Sequence, residues 1–222
     1  MDQQILERAN YWATSNAFDM QTKNEIKELI EKKDKTQLTN RFYRNLEFGT
    51  GGMRGIMGAG TAMMNIYNIR KASAALSKHL IAEAAKDNEK QQLKIAISFD
   101  SRNNGREFAQ AAAEVFASFG IKALITKQMR PVPMLSFMVR FFKCNAGVCV
   151  TASHNPPAYN GYKVYWSTGG QLVPPHDKKI VSYYNEINDY SSITSIPYKQ
   201  ALNENLVEEI GDELDTAYFK EL

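Results

Sequence analysis

An α/β fold, a mostly parallel sheet flanked by helices, is predicted by three observations on this 222-residue chain. Short apolar runs alternate with stretches of helical spacing between Leu93 and Thr151. The connections between them are short, and strand–helix–strand–helix–strand order of that kind gives parallel strands with right-handed crossovers. Polar residues then follow directly after the runs, where open parallel sheets bind ligands.

Each element has its own signal. The first ~45 residues read as helices. Asp19 is placed to cap a segment through Glu25, Ile26, Leu29 and Ile30, and Lys32, Lys33 and Lys35 lie near its end, where the helix dipole favours cations. The stretch FGTGGMRGIMGAG follows, with six of the thirteen glycines between Gly49 and Gly60. Glycine at that density costs backbone entropy, so unusual backbone angles or a close ligand must justify it. From Asn65 a long helix is expected, with Ile66, Ile69, Ser73, Leu76 and Leu80 on one face. Leu93–Phe99 reads as a buried strand. The helix after it carries Phe108, Ala111, Ala112, Val115, Phe116 and Phe119 on one stripe and stops at Gly120. IKALIT is a second strand, Pro131 to Phe142 a second helix with proline near its start, and Ala146 to Thr151 a third strand. GYKVYW reads as a further strand after a tight turn at Asn160-Gly161, and PHDKKIVSYYNEI as a helix. The tail ENLVEEIGDELDTAYFKEL reads as acidic helix interrupted at Gly211, with Leu214, Ala217, Tyr218 and Leu222 as an uncovered apolar stripe.

Composition narrows the function. The chain is 44% hydrophobic and 23% charged, ordinary for a globular domain. No apolar run approaches the ~18 residues of a membrane span, and MDQQILERAN lacks the basic-then-apolar order of a signal peptide. Cys144 and Cys149 form neither a disulfide framework nor a paired zinc motif, so a reducing cytoplasm is expected. A net charge of +3, from 27 basic and 24 acidic residues well mixed along the chain, gives no nucleic-acid footprint. With three scattered histidines, a self-sufficient transition-metal site is not expected, and His79 and His176 read as solvated or capping residues.

The polar residues gather at two strand ends. Asp100, Ser101 and Arg102 follow the first strand, and Ala152, Ser153, His154 and Asn155 follow the third; parallel strands put both sets on one edge of the sheet. In TASHNPPAYNGYK, Pro156 and Pro157 stiffen the loop that presents Ser153, and Lys163 enters the next strand. Ser153 and Asn155 are also ordinary turn residues that make local backbone bonds. A G-x-S-x-G elbow and a recognisable aspartate–histidine pair are missing, so an acyl-transfer serine is poorly supported. A phosphoryl-carrying serine needs cations, a metal and backbone N–H groups around three anionic oxygens. FGTGGMRG lacks the lysine of a phosphate-binding P-loop, yet a glycine-lined turn ending in Arg54 suits an anion.

Together TASHNP, NGYK and FGTGGMRG, with FDSR (Phe99 to Arg102) and GGQLVPPHD (Gly169 to Asp177), resemble the α-D-phosphohexomutases of the phosphoglucomutase/phosphomannomutase group over residues ~46 to ~180. Gly52 and Met53 stand where that family often has serine or alanine and leucine, and FGTGGMRGIMGAG is similar to its larger members, which include phosphopentomutases. The resemblance implies a mostly parallel mixed sheet of the family's first-domain type. It implies that Ser153 carries the phosphoryl group and, through it, binds Mg²⁺. Lys163 and Arg54 would serve acid–base work and its electrostatic support, and His154 would orient the phosphoserine or the substrate. Thr50, Gly51, Arg102 and Asn155 would bind substrate or phosphate. A phosphorylated sugar would be the substrate and a sugar bisphosphate the activator. No partner nucleic acid or membrane is implied.

The domain reading is a helical extension at 1–45, the phosphoserine-bearing α/β domain at 46–200, and a helical segment at 201–222 leading toward a second domain of the same enzyme. The D-x-D-x-D metal loop of the family's second domain does not occur in these residues. The alternative is a sugar-phosphate-binding domain that retains the fold without catalysis, or phosphopentomutase activity.

Overall fold

The computed structural model describes residues 2–49, 51–86 and 91–222. Three helices open the chain: α1 (Gln3–Thr14), α2 (Met20–Glu31) and α3 (Lys35–Phe42). Each begins on an aspartate, Asp2, Asp19 and Asp34, whose carboxylate accepts a first-turn backbone N–H. Their apolar faces close around Trp12, which stacks on Phe18 at 4.2 Å between ring centroids. Tyr67 and Tyr190 complete this aromatic cluster and join it to the rest of the molecule. Tyr67 also donates its hydroxyl to Asp19 at 2.7 Å, so the residue that caps α2 also fastens it.

The remaining elements build the α/β unit: β1 (Gly52–Ile56), α4 (Ile66–Lys86), β2 (Lys94–Phe99), α5 (Gly105–Ser118), β3 (Lys122–Thr126), α6 (Val132–Phe141), β4 (Ala146–Val150), β5 (Tyr159–Trp166), α7 (His176–Glu186), α8 (Tyr198–Asn203), β6 (Val207–Ile210) and α9 (Asp212–Lys220). The strand order is β1-β5-β4-β2-β3-β6. β4, β2, β3 and β6 run parallel, and β5 pairs antiparallel with both β4 and β1. The mostly parallel mixed sheet flanked by helices is therefore present. One face packs on α4, α5, α7 and α8, around Ile97, Phe116, Val148 and Val164. The other packs on α6 and α9, around Leu124, Leu135, Met138 and Tyr165. Among the described residues no helix is long and apolar enough to cross a membrane.

Four expectations need correction. LVEEI, read as helix in the 201–222 segment, contains strand β6, which extends the sheet beside β3. Two adjacent glutamates hid it, because they break alternation. In the fold Glu208 meets Lys122 at 2.6 Å and Glu209 meets Arg106 at 3.3 Å, a charged edge of the kind that blocks further strand pairing. The tail's stripe is partly covered: Leu214 is buried, and Tyr218 packs edge-on against Phe137. Asn160 and Gly161 form no turn but lie inside β5, opposite Gly55 and Arg54. His79 is not solvated: it is 2% exposed and bonds to His176 at 3.0 Å.

Candidate active site

The register of β2 against β4 sets Phe99 beside Val150. The residues that follow, Asp100 and Thr151, leave the sheet together. The Thr151 hydroxyl donates to Asp100 at 2.5 Å and accepts the Ser153 backbone N–H at 3.0 Å. Those contacts tie the two loops at the carboxyl edge into one unit. Asp100 was among the strand-end residues marked from sequence, whereas Thr151 was read only as the end of its strand.

Ser153 is exposed and holds a left-handed backbone, φ 57°. A non-glycine residue keeps that conformation only when its surroundings impose it. Arg102 is what imposes it. Its guanidinium donates to the carbonyls of Ser153 and Asn155 at 2.7 Å each, Tyr159 at 3.0 Å and Pro156 at 3.1 Å. Asp100 backs the same group at 3.7 Å and accepts the Arg102 backbone N–H. Both terminal nitrogens of Arg102, a residue expected to bind substrate or phosphate, donate to carbonyls of the serine loop.

The loop's outer side is cationic. Arg54, exposed on β1, donates to the Asn155 side-chain oxygen at 2.9 Å, bringing the glycine–arginine motif against the serine loop. Lys163 lies two residues beyond Gly161 on β5, and Gly161 stands opposite Arg54, so both cations rise from one face of the sheet. Gly161 permits this closeness, because a Cβ there would lie 2.4 Å from the Thr151 carbonyl oxygen. Among the described residues no carboxylate is paired with Arg54 or Lys163, and the nearby Asp100 is turned toward Thr151 and Arg102. His154, also exposed, places Nδ1 3.1 Å from the Ser153 Oγ. No carboxylate among the described residues supports that imidazole, so the pair is not two-thirds of a hydrolytic triad.

Gly51, at φ 87°, and Gly52, at φ 128°, turn the chain into β1; Thr50 lies outside the described residues. The serine loop thus carries an exposed hydroxyl and, through Asn155, the Arg54 guanidinium, and cations of this kind suit an anionic group. A cavity of about 490 Å³ lies elsewhere, at the amino edge of the sheet beside Lys94, Arg140 and Asn145, and shares no residue with this loop. The buried thiols of Cys144 and Cys149 are likewise apart from the chemistry; burial pushes them up to about 12 and about 11.

Residues 45–191 match the family model of the phosphoglucomutase/phosphomannomutase α/β/α domain I. The chain is 35% identical over 208 residues to the probable phosphoribomutase of Schizosaccharomyces pombe, covering 92% of this chain and 33% of that protein. It is 32% identical over 197 residues to a Staphylococcus saprophyticus phosphoglucomutase, covering 89% and 35%. A Thermus thermophilus structure provisionally assigned as a phosphomannomutase superposes with a TM-score of 0.57 at 30% identity, over 64% of this chain and 30% of that one. The chain thus spans about a third of the length of the curated relatives it matches.

Proposed function

The chain belongs to the phosphoglucomutase/phosphomannomutase family through its α/β/α domain I, and from that premise we propose that residues 46–200 are the phosphoserine-bearing domain of a sugar-phosphate mutase. The observation that carries the reading is Ser153 itself: an exposed hydroxyl in a left-handed turn, in a loop whose Asn155 holds Arg54, with Lys163 on the same sheet face as Arg54 and neither cation paired with a carboxylate among the described residues. The complete protein interconverts a sugar 1-phosphate and 6-phosphate.

Phosphoryl transfer asks mainly for positioning and charge neutralisation. In the first half-reaction a sugar hydroxyl attacks the phosphorus on Ser153. The new sugar O–P bond forms as the Oγ–P bond breaks, and Lys163 takes the hydroxyl proton and relays it to the departing Ser153 Oγ, which gives it up again in the second half. The bisphosphorylated sugar then turns over in place. In the second half its other phosphoryl group passes to Ser153 Oγ, and Lys163 returns the proton to the sugar oxygen left behind. Arg54 holds the charge of the transferring group while Asn155 fixes its guanidinium. His154 orients the serine oxygen, and Arg102 acts as a positioning residue through the loop backbone. The free enzyme is primed when a sugar bisphosphate loads Ser153.

The donors around Ser153 are nitrogen cations and amides, and the one nearby carboxylate is engaged, so this chain suits a single oxygen contact to Mg²⁺, through the Ser153 phosphate. Bound there, the metal would neutralise phosphoryl charge during transfer. The remaining ligands, the sugar-reading groups and the distal phosphate clamp belong to further domains of the complete protein. Cytoplasmic residence fits two free, buried cysteines. A pentose phosphate is a second reading, supported by the phosphoribomutase relative. A coupled assay of the complete protein with glucose, mannose and ribose 1-phosphates tests both. Turnover of a hexose supports the first, turnover of ribose alone supports the second, and binding without turnover would leave a non-catalytic sugar-phosphate domain.

A further inference from the structure

We propose that His79, Glu83 and His176 form a binding site for one divalent transition-metal ion of the zinc type, at the sheet edge opposite Ser153. His79 and Glu83 lie four residues apart on α4 and share one face. His176 opens α7, which packs against that helix. One ligand atom from each of the three side chains falls within 4.8 Å of the others. The location is fixed by register: Trp166, which covers both imidazoles, pairs with Ala146 at the start of β4, whereas the serine loop follows the end of β4.

The facing imidazole nitrogens, Nε2 of His79 and Nδ1 of His176, are 3.0 Å apart. Two nitrogens bound tetrahedrally at ordinary Zn–N lengths stand about 3.3 Å apart, so a few tenths of an ångström of opening admits the ion. The proton now shared between the rings moves to an outer nitrogen, and both rings then offer a lone pair while remaining neutral. Burial pushes the His79 imidazole below its ordinary value, which favours that neutral form. The rings are already oriented: His176 stacks on Trp166 at 4.1 Å and 23°, and His79 is 5.5 Å from the same indole. Glu83 has a competitor in Lys86, but that ion pair lies at the surface, where such pairs contribute little.

Three protein ligands leave a fourth position, and room exists for it. A cavity of about 310 Å³ opens on Glu83 and His176, with Asn145, Trp166 and Ser167 on its walls. Two imidazoles and one carboxylate suit zinc, cobalt or nickel, and not magnesium, which prefers oxygen ligands in an octahedron. The site is therefore separate from the Mg²⁺ of the proposed phosphoryl transfer and does not depend on it. Occupied, it would clamp the start of α7 onto α4.

The test is titration of the metal-stripped 222-residue chain with Zn²⁺ against a chromophoric chelator, with Co²⁺ as a spectroscopic reporter. One equivalent should bind at micromolar or tighter affinity, Co²⁺ should give the visible bands of a four-coordinate site, and excess Mg²⁺ should not compete. His176→Gln lies at the rim of the site and should fold; it and Glu83→Gln should each weaken binding by about tenfold or more, at least the cost of losing a supporting residue. His154→Gln should bind as the parent does. Failure to bind Zn²⁺ at micromolar concentration, or equal affinity in His176→Gln, would overturn the site.

Discussion

Arg102 holds the serine loop through that loop's own backbone carbonyls. Its planar fork satisfies four carbonyls of the serine loop, and a lysine can satisfy only part of that set. Arg102→Lys should therefore accelerate amide hydrogen exchange across 152–160 and lower kcat while the melting temperature changes little. Unchanged exchange would mean that the two prolines alone hold the loop. Lys163→Met removes the proton acceptor and keeps much of the length, so kcat of the complete protein should fall by ~10²–10⁴, with a smaller change in KM. A raised KM with kcat intact would make Lys163 a substrate contact instead. The motifs that contain Ser153, Lys163 and Arg54 were legible in the sequence because their letters stand in order. The use of Arg102 was not, since a sequence gives the residue type but not which donors are already spent. His79 and His176 escaped for a related reason: ninety-seven positions separate them, and only the packing of α4 on α7 brings them together.

At the scale of elements, apolar runs and helical stripes placed β2 through α6 within a residue or two, because both faces of that part are buried and the pattern is dense. The edges were harder to read. β1 is a strand assembled from glycines that a close approach demands: a Cβ on Gly52 would lie 1.8 Å from the Tyr162 carbonyl oxygen, at φ 128°. Gly52→Ala should cost on the order of 3 kcal/mol or more in denaturant unfolding. A loss below about 1 kcal/mol would show that the β1–β5 pairing yields easily. Helix α4 holds a second unexpected feature. Lys71 is buried with its ammonium 4.4 Å from the Tyr184 ring, and burial pushes it down to about 8. Lysine in the unfolded chain titrates near ~10.4. Between those values the unfolded chain holds a proton that the folded chain has released, so stability should rise as pH climbs through that window. Lys71→Met lacks the dependence. Its stability relative to the parent should be greatest near pH 7 and decline toward pH 10 in urea unfolding, whereas a constant difference would mean that Lys71 does not titrate there.

The whole molecule is a sheet with two helical faces and a helical annex tied on through Tyr67 and Tyr190, and the loop that carries Ser153 lies at the open carboxyl edge of that sheet. Ser153, Arg54 and Lys163 stand on that edge without a second wall among the described residues, which fits a chain spanning about a third of its relatives. The 222-residue chain should unfold cooperatively yet convert glucose 1-phosphate only at background rate, since much of the rate of such a transfer, ~7–11 kcal/mol, comes from positioning. Turnover that persists through purification and vanishes in Ser153→Ala would show that this domain is catalytically complete. The most direct test is peptide mass spectrometry of the complete protein after incubation with a sugar bisphosphate. A phosphoryl group should appear on Ser153, with turnover reduced by orders of magnitude in Ser153→Ala; reproducible labelling of Ser101 or Ser167 in its place, or full turnover without the Ser153 hydroxyl, would contradict the assignment of Ser153 as the phosphoryl carrier.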